Sequence, residues 1–383
     1  MNDKSGTNDN YSPSYEQSTN FVPLLFGNDI NTYSLARAFH EKYGLRSTVW
    51  GKYASGPCAN SSIIDFRTCA QNDHPASFRR HVSAFSEEHR DKSVLLIGCG
   101  DSYVRLCSDH MGTYPGNIIA PYPDSKLVDA LFHKEHFYRI CRQHDIAYPR
   151  TLIYQRKMGA NFSLPFDAPY VLKPANPVLY WQFPFPTQKK VFILEDREEL
   201  LNVLNDIYGA GYSDTMIIQD YIPGDDTYMR VMTGYSNKEG RVELMALGQV
   251  LLEEHTPMGI GNHAVIINEY DQALAGELKR FLEAIGFIGF FNFDLKHDRR
   301  DGTFKVLELN VRQGRSNYYV TGAGYNLAEY VVNDHLFDRA NGFTIVRERY
   351  LWSVVPRSVM FSYIRPQHYR DEMKKLIRAG RSN

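Results

Sequence analysis

The sequence predicts an α/β domain followed by a larger α+β unit, on three observations. Twice near the start an apolar run ends in a glycine turn and passes into a helix-periodic segment, the pattern of an open parallel layer. Beyond about residue 150, strands and helices come in clusters rather than in strict alternation. Finally, 383 residues exceed what one ordinary hydrophobic core organises, so two or three domains are expected.

Taken in order, residues 1–20 (MNDKSGTNDNYSPSYEQSTN) hold no apolar run, so they read as a disordered tail and not as a signal peptide. FVPLLF (Phe21–Phe26) is strand-like and ends at Gly27 and Asn28. TYSLARAFHEKYG then carries Leu35, Ala38 and Phe39 at helical spacing up to a stop at Gly44. SVLLIG (Ser93–Gly98) repeats the unit and runs into CGDSYVRLCSDHMG. Its GCGDSY lacks the GxGxxG spacing of a dinucleotide fingerprint and reads as a plain turn. This first domain is placed at residues 21–125.

The stretch SKLVDALFHKEHFYRICRQHDI follows as one helix, with Leu127, Leu131, Phe132 and Phe137 facing a core, and it stops before Tyr148-Pro149. RTLIY and PYVLKP are short strands, and a helix is expected around EDREELLNVLNDIYG. MIIQDYIPG is a buried strand that breaks at Pro-Gly. The first lobe of the α+β unit is placed at residues 126–220. YMRVMTGYS, RVELMALGQVLL, GFFNFDLKH and TFKVLELNV are the strands of a second lobe, residues 221–335, with an amphipathic helix at QALAGELKRFLEAIG. Residues 336–383 mix aromatic, apolar and basic side chains and fit no motif. They are expected to form a helical or irregular extension that packs on the preceding lobe, makes a homodimer contact, or approaches a lipid-linked substrate.

A net charge of −1 argues against general affinity for nucleic acid or anionic membranes. The five cysteines form no CxxC pair and read as reduced structural thiols. The longest apolar run, residues 284–291, is far too short to span a membrane. Together these place the chain in the cytoplasm.

The chemistry is concentrated in two late strands with a period of two. In FFNFDLK, Asn292, Asp294 and Lys296 share one face, and Phe291, Phe293 and Leu295 the other. In VLELNV, Val306, Glu308 and Asn310 oppose Leu307, Leu309 and Val311. HDRRDGT between them is a hairpin signal. A three-residue loop at 300–302 sets Asp294 across from Glu308, and a slip of two sets it across from Asn310. Either register gathers Asp294, Glu308 and Asn310 on one face, where like charges call for a cation. All-oxygen ligands favour Mg²⁺ or Mn²⁺ over zinc. Arg312 and Arg315 follow at once, and oxygen-bound Mg²⁺ beside arginines is how polyphosphates are held.

Lys134 lies on a helix and Lys173 ends a buried strand just before a proline, where an anion would account for it. The strand containing Gln219, Asp220, Tyr221 and Ile222 offers an edge of backbone groups for a purine rim, with Asp226 placed to accept from ribose hydroxyls. EEHTPMGIGNHAV is a glycine-punctuated loop that puts His263 over such a site.

Lys134, Lys173, IIQDYIPGDD, the NFDLK aspartate and LELNVRQGRS, in that order, resemble the ATP-grasp carboxylate–amine ligases over residues 21–330, and more narrowly the branch typified by peptidoglycan D-aspartate ligase. The resemblance implies a Rossmann-like pre-ATP-grasp domain ahead of the ATP-grasp fold. It implies that Lys134 and Lys173 hold ATP phosphates, that residues 219–222 take adenine, and that Asp226 takes ribose. Asp294, Glu308 and Asn310 would bind two Mg²⁺ ions, with Glu308 bridging. Arg312 and Arg315 would stabilise the transferred phosphoryl group, and Ser316 would contact substrate. The implied reaction joins D-aspartate, through its β-carboxylate, to the side-chain amine of a peptidoglycan-precursor diamino acid, with Arg230 pairing with the acid's carboxylate. A small-peptide ligase would keep the same ATP residues, and a non-catalytic nucleotide-binding regulator is the alternative outside enzymes. One departure stands out: PANPVLYWQFPFPTQKK replaces a glycine-rich phosphate-covering loop, leaving Lys189 and Lys190 as candidate charge contacts.

Overall fold

A computed structural model describes residues 20–256, 259 and 261–383. The expected N-terminal tail lies outside the described residues except for Asn20. The N-terminal domain is a parallel sheet of β1 (Phe21–Phe26), β2 (Ser47–Gly51), β3 (Ile64–Thr68), β4 (Ser93–Gly98) and β5 (Ile118–Ile119), in the order β3-β2-β1-β4-β5. Leu24 and Phe26 enter one core cluster while Leu25 enters another on the opposite face. Both faces are covered by helices, which is why β1 and β4 read as unbroken apolar runs. The strand order reverses between β1 and β4, opening a crevice beyond their C-terminal ends, where Gly27 and Cys99 lie. The helix Ile30–Tyr43 ends at Gly44 in the left-handed conformation, φ 68°, as the sequence predicts.

The segment read as one helix is two, Ser125–Phe132 and Lys134–Gln143, broken at His133 with ψ 110°. Lys134 therefore opens a helix rather than riding on the middle of one. The next layer is an antiparallel sheet of β6 (Thr151–Tyr154), β7 (Tyr170–Pro174), β8 (Phe192–Leu194) and β9 (Met216–Asp220), in the order β6-β9-β7-β8. The helix Arg197–Gly209 covers it through Leu200, Leu204 and Ile207. All five residues of β9 are buried, because the strand is paired on both sides.

The C-terminal sheet comprises β10 (Met229–Ser236), β11 (Val242–Glu253), β12 (His263–Glu269), β13 (Gly289–Asp298), β14 (Thr303–Asn310), β15 (Thr344–Ile345) and β16 (Leu351–Ser353). Its path is β14-β13-β10-β11-β12-β16, with β15 alongside β11. The expected extension at 336–383 thus supplies two strands of this sheet. Its helices Arg357–Tyr363 and Gln367–Arg378 pack Met360, Met373 and Leu376 against Leu251, Val265 and Leu351. An apolar complement existed for these side chains, so the segment is integral to the lobe rather than appended to it.

The β13–β14 hairpin differs from the expected one in an instructive way. Its loop has four residues, 299–302, closed by Asp298 opposite Thr303, with Gly302 at φ 73°. A one-residue bulge at Leu307 then restores the pairing of Asp294 with Glu308 and of Asn292 with Asn310. The extra residue turns Val306 to the core, opposite Leu295, instead of leaving it on the Glu308 face.

Candidate active site

The polar face of β13 and β14 meets the helix Lys134–Gln143 and β7. The Lys134 ammonium donates to Glu308 Oε2 at 2.9 Å. One helical turn on, Tyr138 donates its hydroxyl proton to the Leu307 carbonyl at 2.7 Å and accepts from Lys173 Nζ at 3.0 Å. The bulge exposes that carbonyl, so one irregularity serves both lysines. Lys134 ammonium holds Glu308 well below the usual carboxylate range. Burial works against the charge of Lys134, but Glu308 outweighs it and raises the lysine. Among the described residues Lys173 has no such carboxylate partner: burial, then the nearby Lys134 charge, push it down to about 7.

Asp294 is held by amides on both sides. Asn310 Nδ2 donates to its Oδ2 at 3.2 Å and Asn292 Nδ2 to its Oδ1 at 3.3 Å. Thr233 Oγ1 in turn donates to Asn292 Oδ1 at 2.7 Å. Burial, and then Glu308, push Asp294 well above the usual carboxylate range. That setting disfavours the charged form, and a cation beside it would favour the carboxylate. Two carboxylates and an amide, all oxygen donors with one acid whose charge is disfavoured by burial and by its neighbour, fit a hard divalent ion. Among the described residues, no three His, Cys, Asp or Glu gather into a metal cluster, so the amide is needed to complete the set.

Arg312 leaves β14 and donates from Nε to Asp101 Oδ1 at 2.6 Å and from Nη2 to Asn310 Oδ1 at 3.2 Å. Gly314, at φ 75°, brings the loop so close that a Cβ there would stand 2.4 Å from Asn292 Oδ1. Arg315 turns to the other side, donating to the His263 carbonyl at 3.2 Å and pairing with Glu254 at 2.8 Å. His263 opens β12, buried, with Nε2 4.0 Å from Asp294; burial, and then Arg315, push it down to about 4, so it is neutral near pH 7. The loop expected to cover the site lies partly outside the described residues. Ser316 is buried beside the arginines.

Other expected residues sit differently. Gln219 and Asp220 belong to a strand paired on both sides, so they offer no edge; the chain leaves the sheet only at Tyr221 and Ile222. Asp220 is committed to Arg150 at 2.8 Å and Arg300 at 3.0 Å. Asp226 accepts from the Glu253 backbone N–H and from His255, both at 2.8 Å. Arg230 is not at the site. It pairs in register with Leu295, on the opposite face from Asp294, and its guanidinium is taken by Glu269 and by the Thr227 and Met229 carbonyls. Asn292 was placed on the Asp294 face by the strand period but given no role, while Tyr138 and Asp101 had no place in the sequence reading; of those two only Tyr138 carried a signal, its i+4 spacing from Lys134. A cavity of about 620 Å³ lined by Gln272, Ala273, Gly276, Arg280, Phe343 and Ile345 borders none of these residues.

No family model matches the chain. It is 39% identical over 373 residues to a D-aspartate ligase of Enterococcus faecium (strain Aus0004), covering 94% of this chain and 89% of that one. An L-amino acid ligase from Bacillus licheniformis superposes with a TM-score of 0.57 at 17% identity, over 82% of this chain and 74% of that one. The biotin carboxylase domain of 2-oxoglutarate carboxylase from Hydrogenobacter thermophilus, solved with MgADP, gives 0.62 at 12% identity, over 84% and 71%. At those identities the two structures show likeness of fold.

Proposed function

The chain belongs to the D-aspartate ligase family of ATP-grasp enzymes, and on that premise we propose that it joins the β-carboxylate of D-aspartate to the side-chain amine of a peptidoglycan-precursor diamino acid in the cytoplasm. The reaction class is ATP-dependent carboxylate–amine ligation with release of ADP and phosphate. The observation that carries the site assignment is the half-buried face where Asp294 opposes Glu308, with Lys134, Lys173 and Arg312 around it.

Lys134 and Lys173 bind the ATP phosphates, Tyr221 and Ile222 present backbone to adenine, and Asp226 lies on the ribose side. Asp294, Glu308 and Asn310 would hold Mg²⁺, two ions on the family pattern, with Mn²⁺ as a substitute. The metal's contribution is to neutralise and orient phosphate oxygens. The substrate carboxylate attacks the γ-phosphorus as the bond to the ADP oxygen breaks, giving an acyl phosphate. The amine then attacks the acyl carbon, losing a proton as phosphate leaves and the amide forms. The chain needs no nucleophile of its own; it positions the reactants and Arg312 offsets the charge on the moving phosphoryl group. Arg315, which donates to the His263 carbonyl, is assigned with Arg312 to the phosphoryl group, and His263 and Ser316 to substrate.

The test is phosphate release with ATP and Mg²⁺ across free D- and L-amino acids, with and without a lysine-containing muropeptide precursor. Release that needs D-aspartate and the precursor together supports the reading. Release with free amino acids as acceptors would keep the ligation chemistry and discard the wall precursor in favour of a small-peptide ligase.

A further inference from the structure

We propose that Asp101 is a positioning residue for this ligation: supplied by the N-terminal domain, it fixes the Arg312 guanidinium at the angle from which it meets the transferred phosphoryl group. The inference rests on the ligase reading above and adds a residue from a domain that contributes none of the phosphate or metal ligands.

Asp101 is the first residue of the helix Asp101–Asp109, just past β4, at the crevice where the strand order of the N-terminal sheet reverses. Its carboxylate accepts a hydrogen bond from the Arg312 Nε–H at 2.6 Å. Nη2 of the same arginine donates to Asn310 Oδ1, which commits Asn310 Nδ2 to Asp294 Oδ2 at 3.2 Å and to the Asn292 carbonyl at 3.3 Å. Asp101 is thus the outer end of a continuous chain, Asp101–Arg312–Asn310–Asp294. A guanidinium has five N–H donors in a rigid plane. With Nε and one Nη2 proton committed, the plane is set and three donors remain for phosphoryl oxygens.

The loop is seated on the same domain just beyond Arg312. Gln313 Nε2 donates to Cys99 Sγ at 3.2 Å and Asn317 Nδ2 to Asn31 Oδ1 at 2.9 Å. Those two contacts are buried, and Tyr318 and Asn326 add hydrogen bonds to Glu41 and the Ala38 carbonyl across the same boundary, so the domains are held together without Asp101. The Asp101 side chain is 51% exposed, and an ion pair at such a rim adds little to stability. What it supplies is direction.

The experiment uses the full-length enzyme with saturating acid and amine, reading kcat, KM for ATP, MgADP binding by calorimetry, and melting temperature. Asp101→Asn is expected to lower kcat about 10- to 100-fold, with KM for ATP and MgADP affinity within about threefold of wild type. Asp101→Glu keeps a carboxylate at the helix start and should recover to within about fivefold of wild type. In an Arg312→Lys background, Asp101→Asn should cost less than about threefold more, because its target is gone. Wild-type kcat in Asp101→Asn would overturn the proposal, as would an undiminished loss in the Arg312→Lys background or a kcat that falls only in step with melting temperature. If the wild-type enzyme releases no phosphate with any acid and amine, the ligase reading itself falls and takes this role with it.

Discussion

Lys134 and Lys173 face the same space, yet they carry charge on different terms. Lys134 is paired with Glu308, whereas Lys173 is buried against Tyr138 and brought down to about 7. Near pH 8 the free enzyme therefore holds Lys173 largely neutral, and a triphosphate beside it favours the ammonium form. ATP binding should take up close to one proton at about pH 8 and almost none at about pH 6, and affinity should weaken as pH rises above about 7. Calorimetry in buffers of different ionisation heat reads the uptake; identical heats across buffers at about pH 8 would refute it. At Glu308 the expectation is loss of function without loss of fold. Glu308→Gln should reduce turnover by about 1,000-fold or more in a phosphate-release assay. Its stability cost should stay near 1–2 kcal/mol, roughly that of breaking a half-exposed ion pair, as read by urea denaturation.

At the scale of elements, the helix Lys134–Gln143 and the β14 bulge act as one device. The turn from Lys134 to Tyr138 sets the reach of one side chain to Glu308 and of the other to the Leu307 carbonyl. Tyr138→Phe removes a hydroxyl that both receives from Lys173 and donates to that carbonyl. About 1 kcal/mol is at stake for such a bond, so KM for ATP should rise about three- to tenfold with kcat little changed. Initial-rate kinetics at fixed acid and amine would show it. An equal fall in kcat with KM unmoved would place Tyr138 in the chemical step instead.

At the scale of the molecule, the two lobes that enclose the site are joined by ions as well as by packing. Asp220, at the end of β9, is bound by Arg150 and by Arg300 from the β13–β14 turn, and Asp298 steadies Arg300 from its own strand. Asp220 is 7% exposed while the arginines remain half in water, which discounts their attraction. Asp220→Asn should therefore cost about 1–2 kcal/mol in urea denaturation, and the loss should shrink at high salt as wild type loses the same attraction. A salt-independent difference would make the contact steric rather than ionic.

Much of the site was legible because its logic is local. The period of two placed Asn292 and Asp294 on one face of β13 and Phe291, Phe293 and Leu295 on the other. Val306 went to the core because a single inserted residue reverses a strand's faces, and nothing in VLELNV marks where a bulge falls. The interior place of β9 and the core-facing side of Arg230 were closed to the same reasoning. Which strand lies beside another, and which carboxylate satisfies an arginine 39 residues away, is settled only when the sheet is assembled. Asp101 is further still, 211 residues from Arg312. By itself the sequence determined residue chemistry, strand and helix periods, and the carboxylate–amide–arginine cluster on one hairpin, since neighbours along the chain dictate these. The tertiary structure decided the partners: which charges are paired, which are left for a ligand, and which domain aims the arginine. The physical reason is that burial and electrostatics depend on distance in space, which the order of residues does not record.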